Sequence, residues 1–218
     1  KLPDDVSEDA AAAMMLQGMT DQYLLNQTYN VKEGDHILVH AAAGGVGLIL
    51  CQWAKHLGAK IIGTVGSKEK ARLAVAHGCD HTIVYTQESF KDRVSEITSG
   101  RGVDVVYDSI GQSTFIDSLD CLRPLGLMVT FGNTTGPITS FSPGILAAKG
   151  SLFLTRPTIF TYIAKRENMF SMAAELFKMV SSGAVKIEIN QIYKLKDAAQ
   201  AHFDLEARKT TGSTILKP

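Results

Sequence analysis

The 218-residue sequence carries no excess of either charge: 22 lysines and arginines stand against 22 aspartates and glutamates. That balance removes the electrostatic basis for general nucleic-acid binding or for adhesion to an anionic membrane. No apolar run approaches the roughly 20 residues that span a bilayer, and the opening KLPDDVSEDA has no signal-peptide pattern. The expected location is therefore cytoplasmic. Cysteine is scarce as well: Cys51, Cys79 and Cys121 are far apart and show no C-x-x-C spacing. They read as small buried residues in a reducing compartment and argue against a cysteine zinc cluster. The six histidines do not cluster, and none stands in an H-E-x-x-H context, so no metal is expected. Hydrophobic residues at 45% still provide for a sizeable core.

What is present is one organising stretch, HILVHAAAGGVG from His36 to Gly47. Ile37, Leu38 and Val39 form a short apolar strand after the turn residues Gly34 and Asp35. Ala42, Gly44 and Gly47 follow with A-x-G-x-x-G spacing, and a helix is expected from Leu48 to Leu57, closed by Gly58. Between strand and helix, such a turn is the signature of dinucleotide binding. Side chains here would keep a pyrophosphate from the main chain, and the helix start presents free N–H groups and a positive dipole end. Ala43, Gly44, Gly45, Val46 and Gly47 are thus the expected phosphate-binding residues.

Ahead of this stretch, Ser7 caps a helix to Met15; Gly18 is expected to interrupt it before a second helix from Thr20 to Gln27. Thr20 reads either as a capping residue or as a hydroxyl facing a ligand. After the glycine turn, strands and helices alternate. Strands are expected at 60–65, 82–85, 103–107, 127–131 and 152–155, with helices at 67–77, 89–98 and 115–122 and a glycine-, threonine- and proline-rich loop at 132–143. Six strands in this rhythm predict a doubly wound parallel sheet. From Arg156 the rhythm changes to a helix at 158–181, a strand at 184–189, a helix at 195–207 and a last strand at 213–216. The expected division is a nucleotide-binding domain over residues 1–157 and a return segment over 158–218.

The end of the second strand bears on the choice of dinucleotide. An NAD site places a carboxylate about 20 residues past the glycine turn. Here Gly66 and Ser67 stand there, with Lys68, Lys70 and Arg72 close behind. A hydroxyl and an ammonium attract a 2′-phosphate, so NADPH is expected, with Lys70 as the selector. Tyr85 would lie beside the adenosine half. Ser109, Phe131 and Asn133 fall at the carboxyl ends of later strands, where such sheets bind ligands.

The segments AAAGGVG, TVGSKEK, VVYDSIG, GLMVTFGN and SLFLTRP together resemble the NADPH-dependent quinone oxidoreductases, in the zeta-crystallin branch of the medium-chain dehydrogenase/reductase superfamily. The resemblance covers essentially the whole chain. It implies that Lys70, Tyr85 and Arg208 hold the 2′-phosphate, that Phe131, Asn133 and residues Thr155 to Pro157 flank the nicotinamide, and that Thr20 lies beside the cofactor at an interdomain cleft. It also implies a preceding GroES-like catalytic domain of about 100 or more residues. This sequence opens where that domain ends, so a cofactor-binding fragment, inactive alone, is expected, with the return segment packing on the absent domain. That branch lacks the catalytic zinc of the alcohol dehydrogenases. The implied activity is reduction of quinones, described in relatives as a one-electron reaction; other branches reduce enones or enoyl thioesters. A dinucleotide-binding and dimerisation module without turnover is the competing reading, pairing through the sixth strand, Ser151 to Thr155. An RNA-binding role known among relatives finds no support in the charge balance. Asp108, Tyr107 and Tyr162 are acids only by type, and no catalytic residue is assigned.

Overall fold

Strands form where the sequence runs apolar, and the computed structural model, which describes residues 1–218, places six of them in one parallel sheet. They are β1 (His36–Val39), β2 (Lys60–Val65), β3 (His81–Val84), β4 (Val103–Asp108), β5 (Leu122–Thr130) and β6 (Phe153–Thr155). Their order is β3-β2-β1-β4-β5-β6, with every pairing parallel. The strand order reverses between β1 and β4, and ligands bind such sheets outside the carboxyl ends at that point. The expected doubly wound α/β architecture is the one found.

Period-2 side-chain alternation divides the core between the two faces. Ile37, Val39, Ile61, Val105, Tyr107 and Val129 pack on one side. Leu38, Ile62, Ile83, Val106 and Met128 pack on the other. The first face is covered by α1 (Glu8–Tyr23), α2 (Gly45–His56), α3 (Lys68–Ala76) and, later in the chain, α8 (Arg166–Ser181). The second is covered by α4 (Phe90–Ile97) and α5 (Phe115–Asp120). Ser7, Ser67 and Ser89 cap α1, α3 and α4 as their sequence positions suggest, each accepting from an amide three residues on.

Four expectations change. Gly18 does not interrupt a helix: α1 runs through it, and a π-helical turn, Leu24–Thr28, follows. A Cβ on Gly18 would lie 2.4 Å from a Leu176 methyl, so glycine serves the close crossing of α1 and α8. The expected helix at 158–181 is two helices, α7 (Ile159–Tyr162) and α8. Tyr162 anchors the first by stacking on Tyr23 at 4.3 Å and pairing with the Thr28 hydroxyl at 2.8 Å. The strand expected at 184–189 is displaced to β7 (Ile189–Lys194). The backbone of Lys186 is instead bonded at both N–H and C=O by the Gln52 side chain. A short helix absent from the sequence reading, α6 (Gly144–Ala148), leads into β6. The chain closes with α9 (Ala198–Glu206) and β8 (Ser213–Lys217), which pairs parallel with β7.

One buried group runs against the fold. Asp21 in α1 is wholly buried, and neither carboxylate oxygen has a hydrogen-bond partner. Its electrostatic neighbours are Tyr23, Tyr107 and Cys51, none of them a cation. Burial holds its pKa well above the ordinary carboxylate value. Because the folded pKa is the higher one, the folded chain binds the proton more tightly. Stability therefore falls as pH rises from about 4 toward the raised value. Asp21→Val is expected to stabilise the chain at neutral pH by about 1–4 kcal/mol and to flatten that slope. Urea unfolding of both proteins across pH 5–8 checks this; equal stability with the same slope contradicts it.

Candidate functional site

The turn after β1 is built from backbone. Ala41 adopts a left-handed φ of 53°, and Gly44 is the extended N-cap of α2 at φ −82°, ψ 178°. The amides of Ala42 and Gly44 are used internally, donating to the carbonyls of Thr64 and Ala41 at 3.1 and 2.9 Å. Those of Ala43, Val46 and Gly47 have no acceptor in the protein. The free donors are thus fewer than the whole Ala42–Gly47 run that the motif suggests.

The glycines also divide their work. A Cβ on Gly44 would meet only the Ala41 carbonyl, at 3.2 Å, and its other side opens into a cavity of about 830 Å³. On Gly45 it would approach the Gln17 amide and the Gly212 carbonyl, at 3.2 and 3.3 Å. On Gly47 it would collide with the Ala41 carbonyl at 2.4 Å and with the Ala42 backbone at 2.7 Å. Gly47 therefore lets the helix sit on the turn and does not admit a ligand, the role given to the third glycine of this motif.

The large cavity continues from Ala43 and Gly44 past Gly66 and Ser67 to Lys70, Tyr85 and Arg208. Lys70 lies in the first turn of α3 and donates its Nζ to the Arg208 carbonyl at 2.7 Å. Burial, and then the nearby Arg208 guanidinium, lower its pKa. Neither cation has a carboxylate partner within 4 Å. Two adjacent, uncompensated cations at one end of a cavity make a site for a multiply charged anion.

Arg208 arrives from far along the chain because the return segment docks here. Gly212 donates to the Ala43 carbonyl at 3.0 Å and forms a bridge with Gly44. His77 at the end of α3 holds Glu188 at 3.1 Å, and the Ser213 hydroxyl donates to the Ala13 carbonyl at 3.0 Å.

A second cavity of about 570 Å³ contains Thr20, Val46 and Phe131, together with Arg156 and Pro157. Thr20 lies in the interior of α1, its hydroxyl donating to the Leu16 carbonyl at 2.8 Å. The capping reading of Thr20 fails, because no helix begins there. Of the residues read from the sequence, Gly45, Gly47, Ser109 and Asn133 are not in the lining of these two cavities. The Ser109 carbonyl is taken by Thr134, which bonds it through both amide and hydroxyl. Asn133 is exposed, and its carbonyl accepts from Gly136 at 2.9 Å. Ile110, Thr134 and Thr135 form that wall instead.

His40, missed in the sequence, lies in the floor of the large cavity. Its ring nitrogens pair with the hydroxyls of Thr64 and Ser118, each at 2.9 Å, and Phe90 packs edge-on at 5.0 Å. Burial lowers its pKa against the opposing pull of Asp108, so the imidazole is neutral and fixes two hydroxyls. Its position directly after β1 was the available signal. Asp108 builds the next turn: it accepts from the amides of Ile110 and Gly111 at 2.6 and 3.1 Å and from the Thr114 hydroxyl at 2.7 Å. Tyr107 donates to the Leu24 carbonyl from a fully buried position. No group of three histidine, cysteine, aspartate or glutamate side chains is placed to hold a metal.

Residues 45–179 match the family model described as zinc-binding dehydrogenase, which is more than half of the chain. The chain belongs to the zinc-binding dehydrogenase family. Within it, the chain is similar to the quinone oxidoreductase of Pseudomonas aeruginosa, 54% identical over 217 residues, covering all of this chain and 67% of that protein. It is 46% identical over 223 residues to a 2-haloacrylate reductase of a Burkholderia species, covering all of this chain and 66% of that protein. Among solved structures, the Escherichia coli quinone oxidoreductase complexed with NADPH superposes with a TM-score of 0.97 at 50% identity, over all of this chain and 67% of that one. The resemblance read from the motifs is thereby confirmed at the level of family and fold.

Proposed function

We propose that this chain is the NADPH-binding part of an NADPH:quinone oxidoreductase. The observation that carries the proposal is the single cavity joining Gly44 to the Lys70–Arg208 pair. A pyrophosphate fits against Gly44 because no Cβ intervenes and the amides of Ala43 and Val46 are free to donate. The 2′-phosphate falls to Ser67, Lys70, Tyr85 and Arg208. Thr20, Val46, Phe131 and Arg156 then line the nicotinamide end. A relative named quinone oxidoreductase, and a solved structure of such a protein complexed with NADPH, support the same reading.

When bound, NADPH supplies the reducing equivalents. The chain's own residues bind, orient and shield. The α2 amides fix the diphosphate, the cation pair selects the phosphorylated ribose, and Phe131 and Pro157 wall the reactive end from water. The three acids by type are engaged within the fold: Asp108 in its turn, Tyr107 on the Leu24 carbonyl and Tyr162 with the Thr28 hydroxyl. Zinc, which the family description names, finds no ligand set among residues 1–218. The proposed division is nucleotide-binding domain 1–157 and return segment 158–218.

β6 is an edge strand paired only with β5, and its Phe153 is 59% exposed. Such an edge invites pairing, and a homodimer through residues Ser151 to Thr155 is proposed. No helix is long and apolar enough to cross a membrane, and a cytoplasmic location is proposed. The 2-haloacrylate reductase relative favours a second chemistry, reduction of a polarised carbon–carbon double bond at the same site. NADPH oxidation by a chain of the relatives' full length, assayed against simple benzoquinones and against 2-haloacrylates in parallel, separates them. Faster turnover of quinones is expected; turnover of haloacrylates alone overturns the assignment.

A further inference from the structure

Two of the three thiols lie together in the core. Cys51, in α2, and Cys79, just before β3, place their sulfurs 3.4 Å apart, and neither side chain has another polar partner. Both are buried, at 0% and 4% exposure. Cys121 belongs to the core on the opposite face of the sheet and is cut off from them.

Local backbone brings the pair together. Gly78, at φ 104°, lies against α2 so closely that a Cβ there would be 2.9 Å from the Cys51 carbonyl. Gly63 of β2 makes room for the Cys79 sulfur, which a Cβ would meet at 2.7 Å, and for the Ala42 methyl, also at 2.7 Å. The thiol pair is therefore packed directly beneath the glycine turn. Bond formation asks the sulfurs to close by about 1.4 Å, and the glycine preceding Cys79 can absorb that shift.

We propose that Cys51 and Cys79 form an intramolecular disulfide when the folded chain meets a peroxide. The Cys79 sulfur attacks one peroxide oxygen, the O–O bond breaks, and water leaves a sulfenic acid. The Cys51 sulfur then attacks Cys79, the S–O bond breaks, and a second water leaves. Two thiols lose two electrons and two protons in total, and hydrogen peroxide becomes two waters. Cys79 takes the first role because it is the less completely buried of the two, at 4% against 0%. Its hydrogen bond to Cys51, and then burial, raise the Cys51 pKa and keep that thiol protonated until the partner is activated.

The loop closed by the bond, residues 51 to 79, contains β2 and the cofactor-selecting residues Gly66, Ser67 and Lys70. Oxidation thus ties the helix carrying the phosphate turn to the strand leading to Tyr85. The crosslink restricts the unfolded chain and stabilises the folded one.

The test treats the folded chain with hydrogen peroxide at neutral pH, alkylates the remaining thiols and maps the peptides by mass spectrometry. A Cys51–Cys79 link is expected, with free thiols falling from three to one and the melting midpoint rising by several degrees. Dithiothreitol should reverse the rise, and Cys79→Ala and Cys51→Ala should each abolish it. Thiols that stay reduced, oxidation to sulfinic acid without a link, or a link formed only in the guanidinium-unfolded chain would each overturn the proposal.

Discussion

Gly44→Ala is expected to leave the fold intact and to weaken both NADPH and NADH by roughly 10- to 100-fold, whereas Gly47→Ala is expected to damage the fold itself. The two glycines are three residues apart in one motif, and their backbones predict opposite outcomes. At Gly44 the dihedrals suit any L-residue, and a methyl would touch only the Ala41 carbonyl at 3.2 Å. The methyl would project where a diphosphate must approach the main chain. Overpacking of about 1–3 kcal/mol, falling on the complex alone, converts to that loss of affinity. At Gly47 the methyl would lie 2.4 Å from the Ala41 carbonyl, so the same cost of about 1–3 kcal/mol falls on folding. Thermal melts paired with calorimetric titration of each variant separate the effects. A Gly44→Ala protein that binds both dinucleotides normally would remove the phosphate from this turn.

Lys70→Ala is expected to weaken NADPH by roughly 10- to 100-fold and to leave NADH nearly untouched. One charge-assisted hydrogen bond to a phosphate is worth about 1.5–3 kcal/mol, and each 1.4 kcal/mol is about tenfold. Arg208→Ala should act in the same direction. Because Lys70 Nζ also holds the Arg208 carbonyl at 2.7 Å, the double variant should lose less than the sum of the singles. NADPH affinity should fall with added salt, and the Lys70 variant should show a weaker salt dependence. Titrations of both dinucleotides at two ionic strengths check this. Equal weakening of NADPH and NADH assigns Lys70 another role.

The parts of this site that were legible in the sequence are local. An apolar strand, a glycine-rich turn and a helix within residues 36–58 determine their own geometry, because strand burial, turn conformation and helix start depend on neighbours a few residues away. Lys70 was readable for the same reason: Ser67 caps α3 and fixes which side chains stand in its first turn. What was not legible depends on distant partners. Gly18 looks like a helix break until Leu176 is placed against it. The strand expected at 184–189 is displaced because the Gln52 amide, 134 residues away, takes both backbone groups of Lys186. Arg208 comes to the cavity through long-range contacts of the return segment, the Gly212–Gly44 bridge and the Lys70 bond among them, and residue spacing contains no trace of it; the family resemblance supplied it. Ser109 and Asn133 were placed correctly at strand ends, yet the bonds from Thr134 to the Ser109 carbonyl, which fold their two loops onto each other, join residues 25 apart and leave no local signal.

Asp21 fits the same account from the opposite side. Nothing local forbids an aspartate in a helix, and only the packing of α1 into the core, beside Tyr107 and Cys51 from other elements, leaves its oxygens without partners. The sequence shows the residue; its cost comes from the packing.

The central claim is that free main-chain amides at the start of α2 hold a diphosphate while Lys70 and Arg208 read the extra phosphate on the ribose. Parallel calorimetric titration of the unmodified chain with NADPH and NADH tests it most directly. One site per chain is expected, with NADPH bound roughly tenfold or more tightly than NADH, as one added phosphate contact requires. Equal affinities, or no binding of either dinucleotide, would contradict it.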